Sequence, residues 1–196
     1  MKTKEQIYNK SIELFATQCY NEIGMREIAE HVGIKAASIY NHYSSKEDIL
    51  LDVALHFIKL LKEEIYPLYK VNTTDFKAFF TNIAISTNNF FERSDVLALI
   101  KIIVSCLYQS DRLKALIHQE FYIKPRSALT YYFNDLTKKG ILQIKDSEFA
   151  AKVYHSFFIY HFFEKFLLTN NDNFFTDKAD LFQQHINFFL DYFSIK

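Results

Sequence analysis

A cluster of basic, polar and small side chains between residues 26 and 46 has the chemistry needed to bind a nucleic acid. Cationic side chains pair with phosphates, hydroxyl and amide groups hydrogen-bond to base edges, and small side chains allow close approach. The residues with these properties are Arg26, Lys35, Ala36, Ala37, Ser38, Tyr40, Asn41, His42 and Lys46. Because none of these contacts needs covalent chemistry, the segment predicts recognition rather than catalysis.

Two short helices joined by a glycine are expected to hold these side chains. Ile28 and Val32 lie on one apolar stripe at helical spacing, and Gly33 can adopt the left-handed conformation that ends a helix. A second helix is expected over residues 36–43, with Ile39 packed inward and the polar groups facing outward. This arrangement predicts a helix-turn-helix whose second helix enters a DNA major groove. The alternative is a pair of amphipathic surface helices in an ordinary helical protein.

Residues 7–50 resemble the N-terminal DNA-binding domain of the TetR family of transcriptional regulators. The matching residues are Leu14-Phe15, Ile28-Ala29, Gly33-Ile34, Ser38-Ile39-Tyr40, His42-Tyr43, and Lys46-Glu47 before Leu50. The sequence departs from the family at Cys19, where a glycine is common, and at Gly24, where a phosphate-touching Thr or Ser is common. The resemblance implies an all-α fold of about nine helices. A three-helix helix-turn-helix DNA-binding domain would cover residues 1–46, and an effector-binding and dimerisation domain residues 47–196.

The resemblance also implies a role for each side chain of the cluster. Arg26 is expected at a phosphate or a base edge, Lys35 and Ser38 at base edges, and Lys46 at a phosphate. Small Ala36 and Ala37 allow close approach, and a methyl group there can touch a thymine methyl. The remaining three are Tyr40 and His42, expected at the DNA backbone, and Asn41, expected at an adenine or the backbone. For Tyr40 and His42 the alternative is ordinary surface packing. Lys2 and Lys4 either follow the minor groove or are simply solvated.

Composition favours a helical protein and gives no electrostatic sign of a polyanion partner. The 196 residues include three Gly and two Pro, and the formal net charge is zero. Residues 1–46 hold six bases and five acids, a net charge of +1, so the DNA prediction depends on where the bases lie. Cys19 and Cys106 lack metal or redox spacing and are expected to be reduced packing residues. With no signal-like segment and no apolar run of spanning length, a soluble cytoplasmic protein is expected.

After the DNA-binding segment the pattern predicts further helices. A long helix runs from Lys46 to a stop near Pro67 and would act as the lever between the two domains. Others are expected over about 75–92, 94–108, 111–139, 146–169 and 176–194. Pro125 must kink or split the helix in which it lies. Asn72, Thr73, Thr74 and Thr176 are expected near helix starts.

The last two helices are apolar on more than one face, which predicts a partner surface. Phe158, Phe162, Phe166, Phe182, Ile186 and Phe189 are the residues expected at a four-helix interface between two copies. Contact with a membrane is the alternative, and the charged residues Glu164 and Lys165 disfavour it. The resemblance implies the same homodimer.

An internal ligand site is implied by the resemblance and supported indirectly by polar residues among many aromatic ones. Asn82, Ser86 and Asn89 share one face of an otherwise apolar helix, and Tyr108, Tyr122, Tyr132 and His155 add further polar groups. A few polar groups in an aromatic lining suit a small apolar or aromatic effector. In the alternative, the Asn and Ser side chains face solvent and the tyrosines are core residues.

The function predicted from these features is a ligand-responsive repressor that binds double-stranded DNA at a palindromic, inverted-repeat operator as a dimer. The alternatives are a TetR-like DNA-binding factor without a small-molecule effector, architectural or controlled by a partner, and a regulator that activates. An enzyme is disfavoured because Gly-rich phosphate loops, a His-Glu-x-x-His helix and Cys-x-x-Cys pairs are missing from the sequence. His155 and His161 are six residues apart and do not share a helix face. No catalytic residue, metal site or cofactor is expected.

Overall fold

A computed structural model describes residues 3–70, 75–168 and 178–193, and this part of the chain is built from helices. The α-helices are α1 (Thr3–Thr17), α2 (Met25–Val32), α3 (Ala36–Ile39), α4 (Lys46–Leu60), α5 (Phe76–Glu92), α6 (Ser94–Ser105), α7 (Asp111–Ile117), α8 (Lys124–Lys138), α9 (Ser147–Phe162) and α10 (Lys178–Phe193). Three π-helical turns, π1 (Leu61–Ile65), π2 (His118–Ile123) and π3 (Phe163–Leu168), extend α4, α7 and α9. Short 3-10 turns cover Tyr66–Lys70 and Leu107–Gln109. Because π2 joins α7 to α8 without a break, these two helices count as one, and the ten described α-helices form nine continuous helical segments. The predicted all-α fold of about nine helices is confirmed.

The chain divides into two compact units. The first unit comprises the residues up to Leu60 together with Ser94–Ile117, and the second comprises Leu61–Arg93 and the residues from His118 onward. The predicted boundary after residue 46 concerns which residues bind DNA and which bind an effector, so it stays a prediction.

The first unit is built around helices α1, α2, α4 and α6. Its core contains the fully buried side chains of Ile7, Ile28, Ile39 and Leu50, and α6 contributes Ile103. Burying aliphatic side chains of this size is worth roughly 1.5–3 kcal/mol each, which fixes the short helices α2 and α3 to the longer ones. The segment predicted to read DNA therefore lies on a packed frame.

The second unit has an aromatic core made by α5, α8, α9 and α10. The ring of Phe80 lies 4.9 Å from that of Tyr154, and Phe133 stacks on Phe189 at 5.1 Å. Ile186 of α10 is completely buried in the same cluster. The two apolar C-terminal helices therefore bury much of their apolar surface in the chain's own core.

Helix ends in the second unit follow from local chemistry. Pro125 has no amide hydrogen and lies in the first turn of α8, where that hydrogen is not needed, and the change from π2 to α8 geometry falls just before it. Gly140 has φ of +71°, and the next amide, of Ile141, donates to the carbonyl of Leu136 at 3.0 Å, which ends α8. Asp75 caps α5, whereas the predicted start residues Asn72 to Thr74 and Thr176 lie outside the described residues.

The chain crosses from one unit to the other after Leu60, after Arg93 and after Ile117. The first and third crossings fall where α4 passes into π1 and where α7 passes into π2. π-helical turns often occur at functional sites. Two of the three crossings thus coincide with a change in helix geometry.

No helix in the described ranges is both long and apolar enough to span a bilayer.

Candidate nucleic-acid interface and ligand cavity

The turn between α2 and α3 has the geometry that the glycine predicts. Gly33 has φ of +79° and ψ of 30°, in the left-handed region, and its amide donates to the carbonyls of Ala29 and Glu30. The amide of Ile34 donates to the carbonyl of Ala29 at 3.0 Å. These bonds satisfy the carbonyls at the end of α2 and fix the direction in which the chain enters α3.

The second helix of the motif is shorter than predicted. α3 ends at Ile39, and residues 40–43 continue as turns in which the amides of His42 and Tyr43 donate to the Ile39 carbonyl at 3.0 and 3.1 Å. Tyr43 is buried, and its hydroxyl donates to Asp52 at 2.6 Å, so the segment is anchored at both its middle and its end.

The predicted DNA-reading side chains lie together on the surface of the first unit. Arg26, Lys35, Ala37, Tyr40, Asn41 and His42 are exposed, and Ala36, Ser38 and Lys46 are half-buried. Tyr40 keeps 54% of its surface exposed, which is unusual for a large aromatic side chain. The interface thus presents one arginine, one lysine and several neutral hydrogen-bonding groups.

Lys46 and Lys4 have partners inside the first unit. The Lys46 ammonium donates to the carbonyl of Tyr20 and, at 2.7 Å, to the carbonyl of Ile23, and it lies 4.0 Å from the centroid of the Tyr20 ring. Burial lowers the pKa of Lys46. Lys4 forms an ion pair with Asp52 at 3.2 Å, and Lys2 lies outside the described residues. The phosphate contact of Lys46 stays a prediction, and the structure adds a second role, in which Lys46 ties α4 to the turn between α1 and α2.

The start of α4 is capped by Ser45. The Ser45 hydroxyl accepts from the amide of Asp48 at 3.1 Å, and it also donates to the Asp48 carboxylate at 2.9 Å. The Asp48 side chain therefore binds the hydroxyl of Ser45, where a longer Glu would reach back to the backbone amide.

The second unit contains a cavity of about 90 Å³. Its wall is mostly aromatic and aliphatic, with Phe91, Phe121, Phe158 and Phe162 among the lining residues. Within this wall the ring of Phe162 lies 4.6 Å from that of Phe91, at a tilt, and 5.6 Å from that of Phe121, edge-to-face. Such edge-to-face packing is the arrangement that aromatic rings prefer.

Three of the polar groups in the cavity wall, which also contains the buried imidazole of His161, have no hydrogen-bond partner among the described residues. They are the hydroxyls of Thr87 and Tyr154 and Nδ1 of His155. Burial raises the pKa of Tyr154 well above its ordinary value, and burial with the nearby Arg126 charge lowers the pKa of His155 to about 4. All three groups are therefore uncharged at neutral pH, and each carries a desolvation cost that a bound molecule could relieve.

Among the described residues that line the cavity, Glu120 is the one acidic side chain, and its charge is compensated. The ammonium of Lys124 donates to the Glu120 carboxylate at 2.6 Å, and that of Lys62 lies 3.8 Å from it. The Tyr66 hydroxyl donates to the backbone carbonyl of Glu120 at 2.7 Å and to its carboxylate at 3.2 Å. Burial acts to raise the pKa of Glu120, but the bond and the charges of the lysines outweigh burial and hold it below its usual range. The cavity wall therefore presents an ion pair rather than an unmatched charge.

The structure brings only one of the seven predicted ligand residues to this cavity, which is His155. Tyr122 has its ring 6.2 Å from that of His155, and Tyr132 packs on Phe79 at 4.5 Å, but neither lines the cavity. Tyr108 is 86% exposed and belongs to the first unit.

Asn82, Ser86 and Asn89 lie on the outer face of α5, as in the solvent-facing alternative. The buried face of α5 is offset from them by about half a turn and carries Thr87 and Asn88 instead. Because apolar residues such as Ile85 also occur on the exposed face of α5, the sequence carried no clear signal for this pair.

The six residues predicted at the dimer interface belong to the chain's own core. Phe162, Phe166, Phe182, Ile186 and Phe189 are buried and Phe158 is half-buried within one copy. They therefore leave little area for a partner. The large apolar side chains exposed on α9 and α10 are Phe149 (61%), Val153 (41%), Tyr160 (63%), Phe188 (70%) and Tyr192 (74%). These residues, here called the apolar stripe, include positions 149, 153 and 160 along one face of α9 and positions 188 and 192 along one face of α10.

Comparisons with known proteins agree with this architecture. The family model described as bacterial regulatory proteins, tetR family, matches residues 7–53. The model described as AefR-like transcriptional repressor, C-terminal domain, matches residues 80–194. None of the curated proteins matches the chain in sequence.

Solved structures share the fold over nearly the whole chain. The flavonoid-responsive regulator FrrA has a TM-score of 0.71 at 16% identity, with 99% of this chain and 98% of that chain covered. A TetR family transcriptional regulator from Pseudomonas syringae pv. tomato has a TM-score of 0.68 at 17% identity, covering 98% and 97%. A protein from Saccharomonospora viridis in complex with choline has a TM-score of 0.66 at 18% identity, covering 98% of each chain.

Proposed function

Because the chain belongs to the TetR family of DNA-binding transcriptional regulators, we propose that it is a ligand-responsive repressor that binds an inverted-repeat operator as a homodimer. The family is one of regulators and not of enzymes. The observation that carries the proposal is the exposed set of hydrogen-bonding side chains on and around α3, held by the Gly33 turn on a buried frame. A surface of this kind suits a major groove, where each base pair presents a distinct pattern of donors and acceptors.

Within this proposal α3 reads the DNA from its first turn. Lys35 is the N-cap of α3, and Ala37 and Ser38 follow within that turn, where recognition helices usually contact base edges. Arg26, in the first turn of α2, binds a phosphate or a base edge. The exposed Tyr40, Asn41 and His42 continue this surface toward the DNA backbone, and Ala36 keeps the approach close.

The apolar stripe on α9 and α10 supports the dimer. Five large apolar side chains exposed on two adjacent helices of the last unit are unusual for a monomer and suit a four-helix interface with a second copy. A two-fold axis through such an interface repeats α3 on the two copies. The expected operator therefore has two half-sites about one helical turn, roughly 34–36 Å, apart.

Control by a ligand is supported by the position of the cavity in the second unit. Residues of π1 and π2, among them Leu61, Ile65 and Glu120, line the cavity, and these turns lie at the two chain crossings described above. A ligand that favours one arrangement of these turns would change the DNA affinity, and DNA would change the ligand affinity by the same factor. Coupling of this kind typically amounts to about 1–3 kcal/mol. A factor without an effector, the alternative, would have a closed and fully packed core.

The experiment is selection of bound duplexes from random DNA, followed by titration at several salt concentrations. We expect enrichment of an inverted repeat, and we expect Ser38→Ala to change the preference among sites. Lys35→Gln should weaken binding to the selected site and relax the preference at one base position, because one base contact is lost. Lys145→Gln, at an exposed lysine outside the interface, is the matched control and should leave both unchanged. If no sequence is enriched, or if Lys35→Gln binds DNA in the same way as Lys145→Gln, the DNA-reading role of α3 is wrong.

A further inference from the structure

The charge of the cavity wall limits which ligands it can hold. Among the described lining residues there is no lysine or arginine, and the one carboxylate, Glu120, is already paired with Lys124 and lies close to Lys62. An ionic ligand placed in this cavity would be buried without a new counter-charge, at a cost of several kcal/mol. The cations beside the wall are already engaged: Lys165 donates to Asn88 at 2.8 Å and to Glu92 at 2.6 Å, and Arg126 lies against the ring of Tyr122. The cavity therefore suits an uncharged molecule.

The unpaired polar atoms indicate which functional group that molecule carries. Thr87 lies on α5, and Tyr154 and His155 are consecutive on α9, so the three groups come from two sides of the cavity. Two are hydroxyls that can donate or accept, and the neutral imidazole does one or the other according to its tautomer. A hydroxyl on the ligand matches this set best, because it can donate to one partner and accept from another.

The walls and the volume indicate the rest of the molecule. Phe91, Phe121 and Phe162 already pack edge-to-face with one another, and a flat ring can continue that packing. The volume of about 90 Å³ is below the roughly 150 Å³ of an engineered protein cavity that binds benzene. It is also well below the roughly 300–1,000 Å³ of clefts for drug-sized ligands. A single ring that enters with a small outward movement of the wall is the largest occupant that fits.

We propose that the cavity binds an uncharged single-ring aromatic compound with a hydroxyl group, that is, a phenol or an aryl alcohol, hydrogen-bonded to Thr87, Tyr154 and His155. The regulatory meaning of this ligand rests on the proposed function, whereas its binding to the cavity does not. An uncharged occupant also satisfies buried polar atoms that otherwise have no partner among the described residues.

The first test compares probes of matched shape by calorimetry on the full chain without DNA. Benzyl alcohol should bind at least fivefold more tightly than toluene, which lacks the hydroxyl, and more tightly than cyclohexylmethanol, which lacks the aromatic ring. Benzoate, benzylammonium and choline should show no saturable binding over the same concentrations. Equal binding by toluene, or tighter binding by any of the three ions, would overturn the proposal.

The second test removes the hydroxyls of the protein one at a time. Thr87→Val and Tyr154→Phe keep the size of the side chain and should each reduce the preference for benzyl alcohol over toluene by twofold or more. Tyr132→Phe is the matched control, because the Tyr132 hydroxyl is also buried without a partner among the described residues but does not line the cavity. Thr130→Val is the control for Thr87→Val, because Thr130 does not line the cavity and its hydroxyl donates to the carbonyl of Arg126 at 2.8 Å. Unchanged preference in both test variants, or an equal loss in the controls, contradicts the assignment of these groups.

A third measurement separates this proposal from ligand control of DNA binding. Benzyl alcohol is titrated into the complex of the protein with its selected operator. Release of DNA supports both proposals. Calorimetric binding with no effect on the DNA complex supports the ligand class and contradicts ligand control, whereas release of DNA by benzoate in preference to benzyl alcohol contradicts the ligand class alone.

Discussion

Replacing Lys46 by methionine should destabilise the first unit, whatever Lys46 does on DNA. The ammonium of Lys46 donates to the carbonyls of Tyr20 and Ile23, and methionine keeps most of the apolar stem while removing both bonds. Hydrogen bonds from a charged donor are worth about 1.5–3 kcal/mol each. Because burial lowers the pKa of Lys46, part of this gain is offset by desolvation of the ammonium, so the lower end applies. We expect a loss of roughly 2–3 kcal/mol in the free energy of unfolding.

The assay is denaturant unfolding followed by circular dichroism, together with DNA titrations at several salt concentrations. For a chain of this length each kcal/mol corresponds to roughly 2–4 °C in Tm, so the Tm of the variant should be lower by about 4–12 °C. Lys35→Met, at the exposed N-cap of α3, is the control and should change stability by no more than about 0.5 kcal/mol.

Two outcomes separate the roles of Lys46. If Lys46 also binds a phosphate, as the sequence predicts, the salt slope of the variant falls by about one unit in addition to the loss of stability. If the slope is unchanged, Lys46 only positions the turn. A Lys46→Met protein as stable as the parent would refute the structural reasoning.

Three further predictions concern backbone, packing and pH. Gly33→Ala should cost about 1–2 kcal/mol because φ is +79° there, whereas Gly24→Ala, at φ of −103°, should cost less than about 0.5 kcal/mol; chemical unfolding of the two variants compares them. Tyr132→Phe should raise the free energy of unfolding by about 1 kcal/mol, since it removes a buried hydroxyl that lacks a partner among the described residues, and a lower Tm would contradict this. Burial and the charge of Arg126 lower the pKa of His155 to about 4, so the unfolded chain binds a proton between pH 6.5 and 4 that the folded chain does not. Stability should therefore fall as pH decreases through that window, by up to about 3 kcal/mol, and the slope should be smaller in His155→Gln.

The DNA-binding motif could be predicted from the sequence because its determinants are local. Gly33 ends α2 through bonds to residues three and four positions earlier, and the inward side chains of α2 and α3 follow helical spacing. The length of α3 could not be predicted, because residues 40–43 form turns held by the buried Tyr43 and its bond to Asp52. The partners of Lys46 could not be predicted either, because they lie in a turn more than twenty residues earlier in the chain. From the sequence, a basic residue at the start of a helix was expected to face DNA.

The residues of the cavity and of the partner surface depend on how distant helices pack. An apolar helix with several polar residues does not reveal which face is buried, and on α5 the burial of Asn88, together with Thr87 in the cavity wall, follows from packing with α10 and α9. Similarly, the excess of apolar residues on α9 and α10 indicates a partner, but the contacts of Phe182 and Phe189 inside one copy decide which residues remain for it.

The π turns at the two crossings have a practical consequence for anyone who grafts this DNA-reading unit onto another regulator. A π turn closes its hydrogen bond over one residue more than an α turn does, so π1 holds an extra residue relative to a regular continuation of α4. A chimaera joined by aligning α-helical patterns would drop that residue and shift every following side chain by about 100° around the helix axis. Splice points placed after Ile65, so that all five residues of π1 are retained, keep the register of the recipient helix.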